Sequence, residues 1–323
     1  MGNQKLNSEI VTVGEAMLRL SVPPGIRLEA AHSLDIHVAG SEANVSVALA
    51  RLGRSVAWVS RLPEGPLGRR VASALGGQGV DLSHVSWLPN TRLGIFYVEL
   101  SLPPRRVSTI YDRRDSAASQ MSVDNFPWSV LDGTRLVHIS GITPALSPSC
   151  QELSQQLAVR ARDSGVAFSL DVNYRAKLWG INEARTCLVK LASEADLLLV
   201  GREDARDIFG LEGAPETVLS GLVEQTRAVN VVLTLGSDGA VFQSPNANGV
   251  VPAVPVTVVD RLGAGDAFAA GVVHGFLDGD VGRGVELGTA MGSLALGTTG
   301  DQLISGLAEI EDVLRGSGRA VDR

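Results

Sequence analysis

A glycine-rich turn that ends in an aspartate carries the clearest sign of chemistry in this chain. It belongs to the segment "VVDRLGAGDAF", in which Gly263, Ala264 and Gly265 come directly before Asp266 and an apolar, helix-like run. The first turn of a helix has backbone N–H groups without helical partners, and glycine lets the backbone approach an anion closely. The segment therefore predicts a phosphate site at which Asp266 takes a proton from an attacking hydroxyl.

A structural explanation of the same segment stays open at this point. Asp266 could be a helix-start carboxylate, and the glycines could form a tight turn. The chain has neither the G-x-x-x-x-G-K-[ST] pattern of a P-loop nor a G-x-G-x-x-G pattern after its first predicted strand. Neither of those phosphate-binding motifs can therefore account for a nucleotide site here.

Composition excludes several classes of protein. The chain has 323 residues, 45% of them hydrophobic, and a net charge of −7, which argues against nucleic acid or an anionic membrane as the main partner. Cys150 and Cys187 are too few for a disulfide framework or a zinc site, which favours a reducing cytoplasm. We find no secretory signal and no apolar stretch long enough to cross a bilayer, so no membrane association is expected.

The order of predicted elements indicates how the chain would position this turn. Short apolar strands alternate with helices through most of the sequence, which predicts a mostly parallel sheet covered on both faces, with ligands at the carboxyl ends of its strands. Strands are predicted near 10–13, 55–62, 135–141, 166–171, 196–201 and 230–236, and helices near 41–53, 66–79, 148–165, 181–193 and 214–228. Hairpin-like strands are predicted over about 239–259, followed by three helical segments.

One region breaks this alternation. The segments "LGIFYVEL" (93–100) and "RVSTIY" (106–111) read as two strands joined around Pro103 and Pro104 with no helix between them. The break predicts a small antiparallel appendage to the main sheet.

Two segments resemble the signatures of a known family. "DRLGAGDAFAAG" (260–271) resembles the C-terminal signature of the ribokinase-like, or PfkB, sugar kinases, and "AGSEANVSVALARLG" (39–53) resembles their N-terminal signature. The resemblance extends over nearly the whole chain. It implies a single domain over 1–323 with a three-layer α/β/α ribokinase-like fold, and a small β-sheet lid built from segments near 15–38 and 91–112. It also implies that ATP and Mg²⁺ are used.

Two further segments are similar to the 2-keto-3-deoxygluconate kinases within that family. These are "IYDRRDSAAS" (110–119) and "LDVNYRAKLW" (170–179). A sugar acid needs a cation for its carboxylate, and arginine grips a carboxylate with two hydrogen bonds, so Arg113 and Arg175 are the expected carboxylate ligands. Alternation along a strand would place Tyr111 on the same face as Arg113, so that Tyr111 covers or hydrogen-bonds the sugar.

The resemblance assigns the other residues of the sugar site. Gly40 lets the sugar approach the backbone, and Asn44 supports that turn, although both also suit the start of a helix. Phe96 and Tyr97 are both candidates to contact the sugar, but only one of them can face it if the segment is a strand.

The nucleotide residues are also assigned by resemblance. "TLGSDGA" (234–240) resembles the family's nucleotide loop, which implies ATP contacts at Thr234, Gly236, Ser237 and Gly239, while a plain hairpin turn is the alternative. Gly263, Gly265 and Asn173 are expected on the nucleotide side as well.

Two positions depart from the family pattern. Many relatives have Asn-x-x-Glu after the strand that reads "LLLVGREDA" here, where Gly201 and Asp204 hold those positions and Glu203 is adjacent. A water-mediated role toward magnesium is therefore expected at Glu203 or Asp204. Relatives often have Thr where this chain has Arg261 and Leu262, which leaves activation by a monovalent cation open.

The sequence therefore predicts an ATP-dependent kinase of a sugar acid, most simply 2-keto-3-deoxygluconate, that forms a homodimer through its lid. Three alternatives remain at this point. They are a kinase of a neutral sugar or nucleoside, a non-catalytic nucleotide-binding sugar sensor, and a structural α/β protein.

Overall fold

The computed structural model describes residues 8–101 and 104–316. The predicted turn at Pro103 and the N-terminal residues 1–7 lie outside this range. The strands are β1 Ile10–Val13, β2 Met17–Val22, β3 Asp35–Ala39, β4 Val56–Val59, β5 Arg61–Pro63, β6 Ser86–Leu88, β7 Ile95–Glu99, β8 Ser108–Asp112, β9 Leu136–Ser140, β10 Ala167–Asp171, β11 Leu197–Gly201, β12 Asn230–Thr234, β13 Ala240–Gln243 and β14 Asn248–Val251. The helices are α1 Ser41–Arg51, α2 Pro66–Gly76, α3 Pro148–Asp163, α4 Ile181–Ala192, α5 Arg202–Phe209, α6 Pro215–Thr226, α7 Ala264–Leu277, α8 Val281–Leu296 and α9 Leu307–Leu314.

An eight-stranded sheet forms the centre of the body. Its strand order is β14-β13-β12-β11-β10-β9-β1-β4. The strands from β12 to β4 are parallel, and β13 and β14 extend one edge in antiparallel fashion. The predicted parallel sheet is confirmed, whereas the hairpin strands end at β14, so residues 252–259 contain no strand.

Helices cover both faces of this sheet because the strand side chains alternate between two cores. On β11, Leu198 and Val200 pack into the core under α3, α4, α5 and α6, while Leu197 and Leu199 pack into the core under α1, α7, α8 and α9. This alternation makes the three α/β/α layers that the sequence predicts. Helix α5 was missed because it is short and begins directly after β11.

A second sheet lies at the carboxyl ends of the body strands. Its order is β3-β2-β7-β8, and its four strands come from the two segments expected to form the lid. The sheet is mixed rather than antiparallel, since β2 pairs in parallel with β7. That parallel pair is possible because the chain returns to the body through α1, β4 and α2 between the two segments.

Among the helices of the two described ranges, none is long and apolar enough to span a membrane.

Candidate active site

Asp266 lies in the first turn of α7, at the carboxyl ends of the parallel strands. Gly263 caps this helix with a φ of 82°, and a Cβ added there would lie 2.0 Å from the Asp301 carbonyl oxygen. Only glycine fits such a position. A Cβ at Gly265, by contrast, would have no heavy atom within 4 Å. Packing therefore does not explain the glycine at this position, and the space beside it is open to a ligand.

The Asp266 carboxylate is buried and held by two donors from α1. Ser41 Oγ donates to Oδ1 at 2.6 Å, and Asn44 Nδ2 donates to Oδ2 at 2.7 Å. Burial raises the pKa of Asp266, while these hydrogen bonds and the charge of Arg175 oppose the shift. Asp266 is thus a fixed carboxylate with raised basicity, which is what a general base requires.

Ser41 is a site residue that sequence reasoning missed. Its hydroxyl also accepts a hydrogen bond from Asn173 Nδ2 at 3.2 Å, so it links β10 to the catalytic turn. The start of α1 reaches this point because Gly40 precedes it. A Cβ at Gly40 would lie 2.1 Å from the Glu15 carbonyl oxygen.

Two cavities meet at the glycine-rich turn. The smaller one, of about 350 Å³, lies between the body and the small sheet, and Gly263 and Asp266 belong to its lining. The larger one, of about 770 Å³, lies on the other side of the turn and is lined by Ala264 and Gly265. All four residues predicted in the nucleotide loop line the larger cavity, namely Thr234, Gly236, Ser237 and Gly239. The turn therefore forms the boundary between the two cavities.

The small sheet contributes an aromatic wall to the smaller cavity. Phe96 on β7 is buried, and its ring stacks on Tyr111 of β8 with centroids 5.4 Å apart. Of the two candidates to contact the sugar, Phe96 lines the smaller cavity and Tyr97 does not. Neighbouring residues on a strand face opposite sides, and Tyr97 lies in an outer groove with Ile36 and Ile110. That groove, lined also by Leu20 and Leu28, is called the outer groove below.

The two predicted carboxylate ligands differ in their surroundings. Both Arg113 and Arg175 line the smaller cavity. Arg113 forms an ion pair with the buried carboxylate of Glu15, whereas Arg175 has no side-chain hydrogen bond or ion pair among residues 8–101 and 104–316. Arg175 is therefore the guanidinium that is available to an anionic ligand.

Lys177 is a third cation in this cavity, and the sequence analysis did not single it out. Its Nζ donates to the carbonyl oxygen of Thr109 at 2.7 Å and lies 5.7 Å from the centre of the Tyr111 ring. The signal for it was present, because Lys177 follows Arg175 by two residues within "LDVNYRAKLW".

Buried carboxylates gather next to the catalytic turn. Asp171 ends β10, and burial together with the charges of Asp266 and Asp204 raises its pKa well above the ordinary value. Burial raises the pKa of Asp204 to about 6, against the opposing hydrogen bond from the Tyr174 N–H. Glu203 is exposed, so of the two acidic residues predicted to act toward magnesium only Asp204 belongs to this cluster.

This fold, with a small sheet over one of two cavities that meet at a helix N-terminus, defines a ribokinase-like carbohydrate kinase. Residues 7–306 match the pfkB family of carbohydrate kinases, and the chain belongs to that family.

Similar proteins include two curated sugar-acid kinases. The 2-dehydro-3-deoxygalactonokinase of Haloferax volcanii is 37% identical over 98% of this chain and 100% of its own length. The 2-dehydro-3-deoxygluconokinase of Thermoproteus tenax is 30% identical over 95% of this chain and 94% of its own length. The crystal structure of 2-dehydro-3-deoxygluconokinase from Thermotoga maritima superposes with a TM-score of 0.89 at 31% identity, and covers 96% of this chain and 99% of that one.

Proposed function

We propose that this enzyme transfers the terminal phosphoryl group of ATP to a hydroxyl of a 2-keto-3-deoxy sugar acid, the gluconate or its galactonate epimer, the 6-hydroxyl being the expected acceptor. The observation that carries the proposal is Asp266, a buried carboxylate at an anion-binding turn between two cavities. Both curated relatives described above act on acids of this class.

The smaller cavity holds the sugar acid in this proposal. The carboxylate of the sugar acid binds Arg175 and Lys177, two cations that line this cavity. Asp266 accepts the proton of the attacking hydroxyl at a carboxylate oxygen, and its raised pKa makes it a stronger base than an exposed aspartate. The small sheet covers the reacting atoms and excludes water, which limits hydrolysis of ATP.

The larger cavity holds ATP in this proposal. The loop residues from Thr234 to Gly239 would contact the nucleotide, and the backbone N–H groups of Gly263, Ala264 and Gly265 would stabilise the charge of the group in transfer. The carboxylates of Asp171 and Asp204 fit a role toward Mg²⁺, directly or through water, since burial and neighbouring carboxylates raise their pKa values more than the charge of Arg175 lowers them. Magnesium would neutralise phosphate charge when bound.

An assay of ATP-dependent turnover on a panel of sugars tests the proposal. We expect kcat/KM for 2-keto-3-deoxygluconate or 2-keto-3-deoxygalactonate to exceed that for fructose and ribose by about a hundredfold, since a neutral sugar offers Arg175 no carboxylate for a charge-assisted hydrogen bond. Equal or better turnover of a neutral sugar would contradict the proposed substrate class and would favour a fructokinase-like or ribokinase-like activity.

We also propose a homodimer formed through the outer groove and a location in the reducing cytoplasm. The outer groove exposes Ile36 and Ile110 on a sheet whose other face covers the sugar site. The second proposal is supported by Cys150 and Cys187, which are both free and buried.

A further inference from the structure

A fully buried arginine connects the small sheet to the catalytic turn. Arg19 lies in the middle of β2, and its side chain is completely inaccessible to solvent. Its two terminal nitrogens donate to different carboxylates, one to Asp260 Oδ2 at 2.5 Å and the other to Asp301 Oδ2 at 2.9 Å. Both carboxylates belong to the body, so this ion triad joins the two parts of the molecule.

The two aspartates contact the turn at the start of α7, Asp260 through its carboxylate and Asp301 through its backbone carbonyl. Asp260 Oδ1 accepts the N–H of Leu262 at 3.2 Å, directly before Gly263. The Asp301 carbonyl oxygen packs against Gly263 so closely that a Cβ there would lie 2.0 Å away. A movement of either aspartate would therefore displace the N–H groups that are proposed to bind the phosphoryl group.

The triad also satisfies a charge requirement. Two buried carboxylates beside an anion-binding turn repel each other and the phosphate unless a cation lies between them. Here the cation is the Arg19 guanidinium, and Asp260 Oδ2 accepts a further hydrogen bond from the Gly300 N–H at 3.2 Å. Arginine keeps its charge at every physiological pH, and its planar fork suits two carboxylates at once.

We propose that Arg19 is a positioning residue that acts as a built-in cation for the catalytic turn, so that the enzyme needs no monovalent metal ion. This inference rests on the proposed role of the turn in binding the transferred phosphoryl group. It concerns how the turn is held and not which sugar is phosphorylated.

The first test compares salts on the wild-type enzyme. Turnover of the best sugar acid with MgATP is measured in potassium chloride, sodium chloride and tetramethylammonium chloride at equal ionic strength. We expect kcat to agree within about twofold in the three salts, whereas activation by K⁺ of about tenfold or more would overturn the proposal. Absence of turnover in every salt would instead count against the proposed function, so the two failures are distinguishable.

The second test removes the internal cation. Arg19→Met should lower kcat by about a hundredfold because the turn is no longer held in register, with little change in KM for the sugar. Arg19→Lys, which keeps a positive charge, should retain more of kcat than Arg19→Met. Added guanidinium chloride at millimolar concentration should restore part of kcat in Arg19→Met.

The matched control is Arg27→Met. Arg27 pairs with Glu99 in the small sheet, and the Arg27 side chain is 46% exposed. We expect near-wild-type kcat and no response to guanidinium in this variant.

If Arg19→Met does not fold, the proposal is tested on Arg19→Lys, which must then show a lowered kcat with an unchanged KM. An unchanged kcat in Arg19→Met would overturn the proposal. A lower kcat together with a changed KM, neither of which guanidinium restores, would overturn it as well.

Discussion

At the scale of single residues, the position of Asp266 combines two properties that usually exclude each other. A carboxylate beside a phosphate repels it, yet a base must lie close to the attacking hydroxyl. The first turn of α7 resolves this conflict because its N–H groups offset the charge, while Ser41 and Asn44 hold both carboxylate oxygens.

Replacing Asp266 by asparagine should abolish most turnover without affecting the fold. We expect kcat to fall by about 10²–10⁴-fold, the usual effect of losing a general base, while binding of ATP is retained. Steady-state kinetics and calorimetric ATP titration provide the measurement. Asp163→Asn at the exposed end of α3 is the control. A kcat close to that of the wild type would contradict the role of Asp266 as base.

The pH dependence should respond to the donors of Asp266. Turnover requires the ionised carboxylate, so activity falls as the pH drops through its pKa. The Ser41 hydroxyl stabilises the ionised form, and its loss in Ser41→Ala should raise the pKa of Asp266 further and move the acid limb of kcat/KM to higher pH. Ser46→Ala, a change at a buried serine of the same helix, should leave the acid limb of the kcat/KM pH profile at its wild-type position. A limb that stays or moves to lower pH in Ser41→Ala would be incompatible with this account.

Arg175 should determine the preference for a sugar acid. Arg175→Ala should lower kcat/KM for the acid by about tenfold to a hundredfold, as expected for a lost charge-assisted hydrogen bond, and should barely affect a neutral sugar. Arg114→Ala, in an exposed residue that lines neither cavity, is the control. An equal fall in kcat/KM for the acid and for the neutral sugar would instead indicate that Arg175 is a structural or phosphate-contacting residue.

At the scale of elements, the small sheet is tied to the body by ion pairs as well as by packing. The pair between Arg113, directly after β8, and Glu15, between β1 and β2, lines one side of the smaller cavity. Together with Arg19 it fixes the sheet over the sugar site. The Arg113 guanidinium is therefore committed in part to the fold, which the sequence pattern did not reveal.

Removing Arg113 should thus destabilise the protein as well as impair catalysis. Arg113→Ala leaves the buried Glu15 carboxylate unpaired, which typically lowers the free energy of unfolding by about 3–5 kcal/mol. Urea denaturation of this variant beside Arg114→Ala measures the difference, and the control should change by no more than about 0.5 kcal/mol. Equal stability of the two variants would show that Glu15 does not depend on Arg113.

At the scale of the whole molecule, the small sheet has one face over the sugar site and one face toward solvent. Its solvent face bears the outer groove, where Ile110 is 57% exposed and Ile36 43% exposed. An apolar sheet face of this kind is commonly covered by a partner.

Disruption of the outer groove should therefore convert a dimer into monomers. We expect the wild type to sediment as a dimer at micromolar concentration and Ile110→Asp to sediment as a monomer in analytical ultracentrifugation. Val250→Asp, at a residue 61% exposed on the edge strand β14, is the matched control and should remain dimeric. A monomeric wild type, or dissociation of the Val250 variant, would contradict the proposed interface.

The sequence by itself determined the features that depend on neighbouring residues. The alternation of apolar strands and helices predicted the three-layer fold, and the glycine turn before Asp266 predicted the start of a helix, because backbone conformation and helix-start chemistry are local. Strand alternation also limited Phe96 and Tyr97 to one sugar-facing residue, although it could not say which of the two.

Only the tertiary structure decided which charges meet. Ser41 and Asp266 are separated by 225 positions in sequence, Arg19 and Asp260 by 241, and Glu15 and Arg113 by 98. A single sequence shows each of these residues but not its partner, since contact between them depends on how β2, α1 and α7 pack. For that reason Arg113 and Arg175 look equivalent in the sequence, yet in the folded protein Arg113 is paired with a buried carboxylate, whereas Arg175 lines the smaller cavity without such a partner among the described residues.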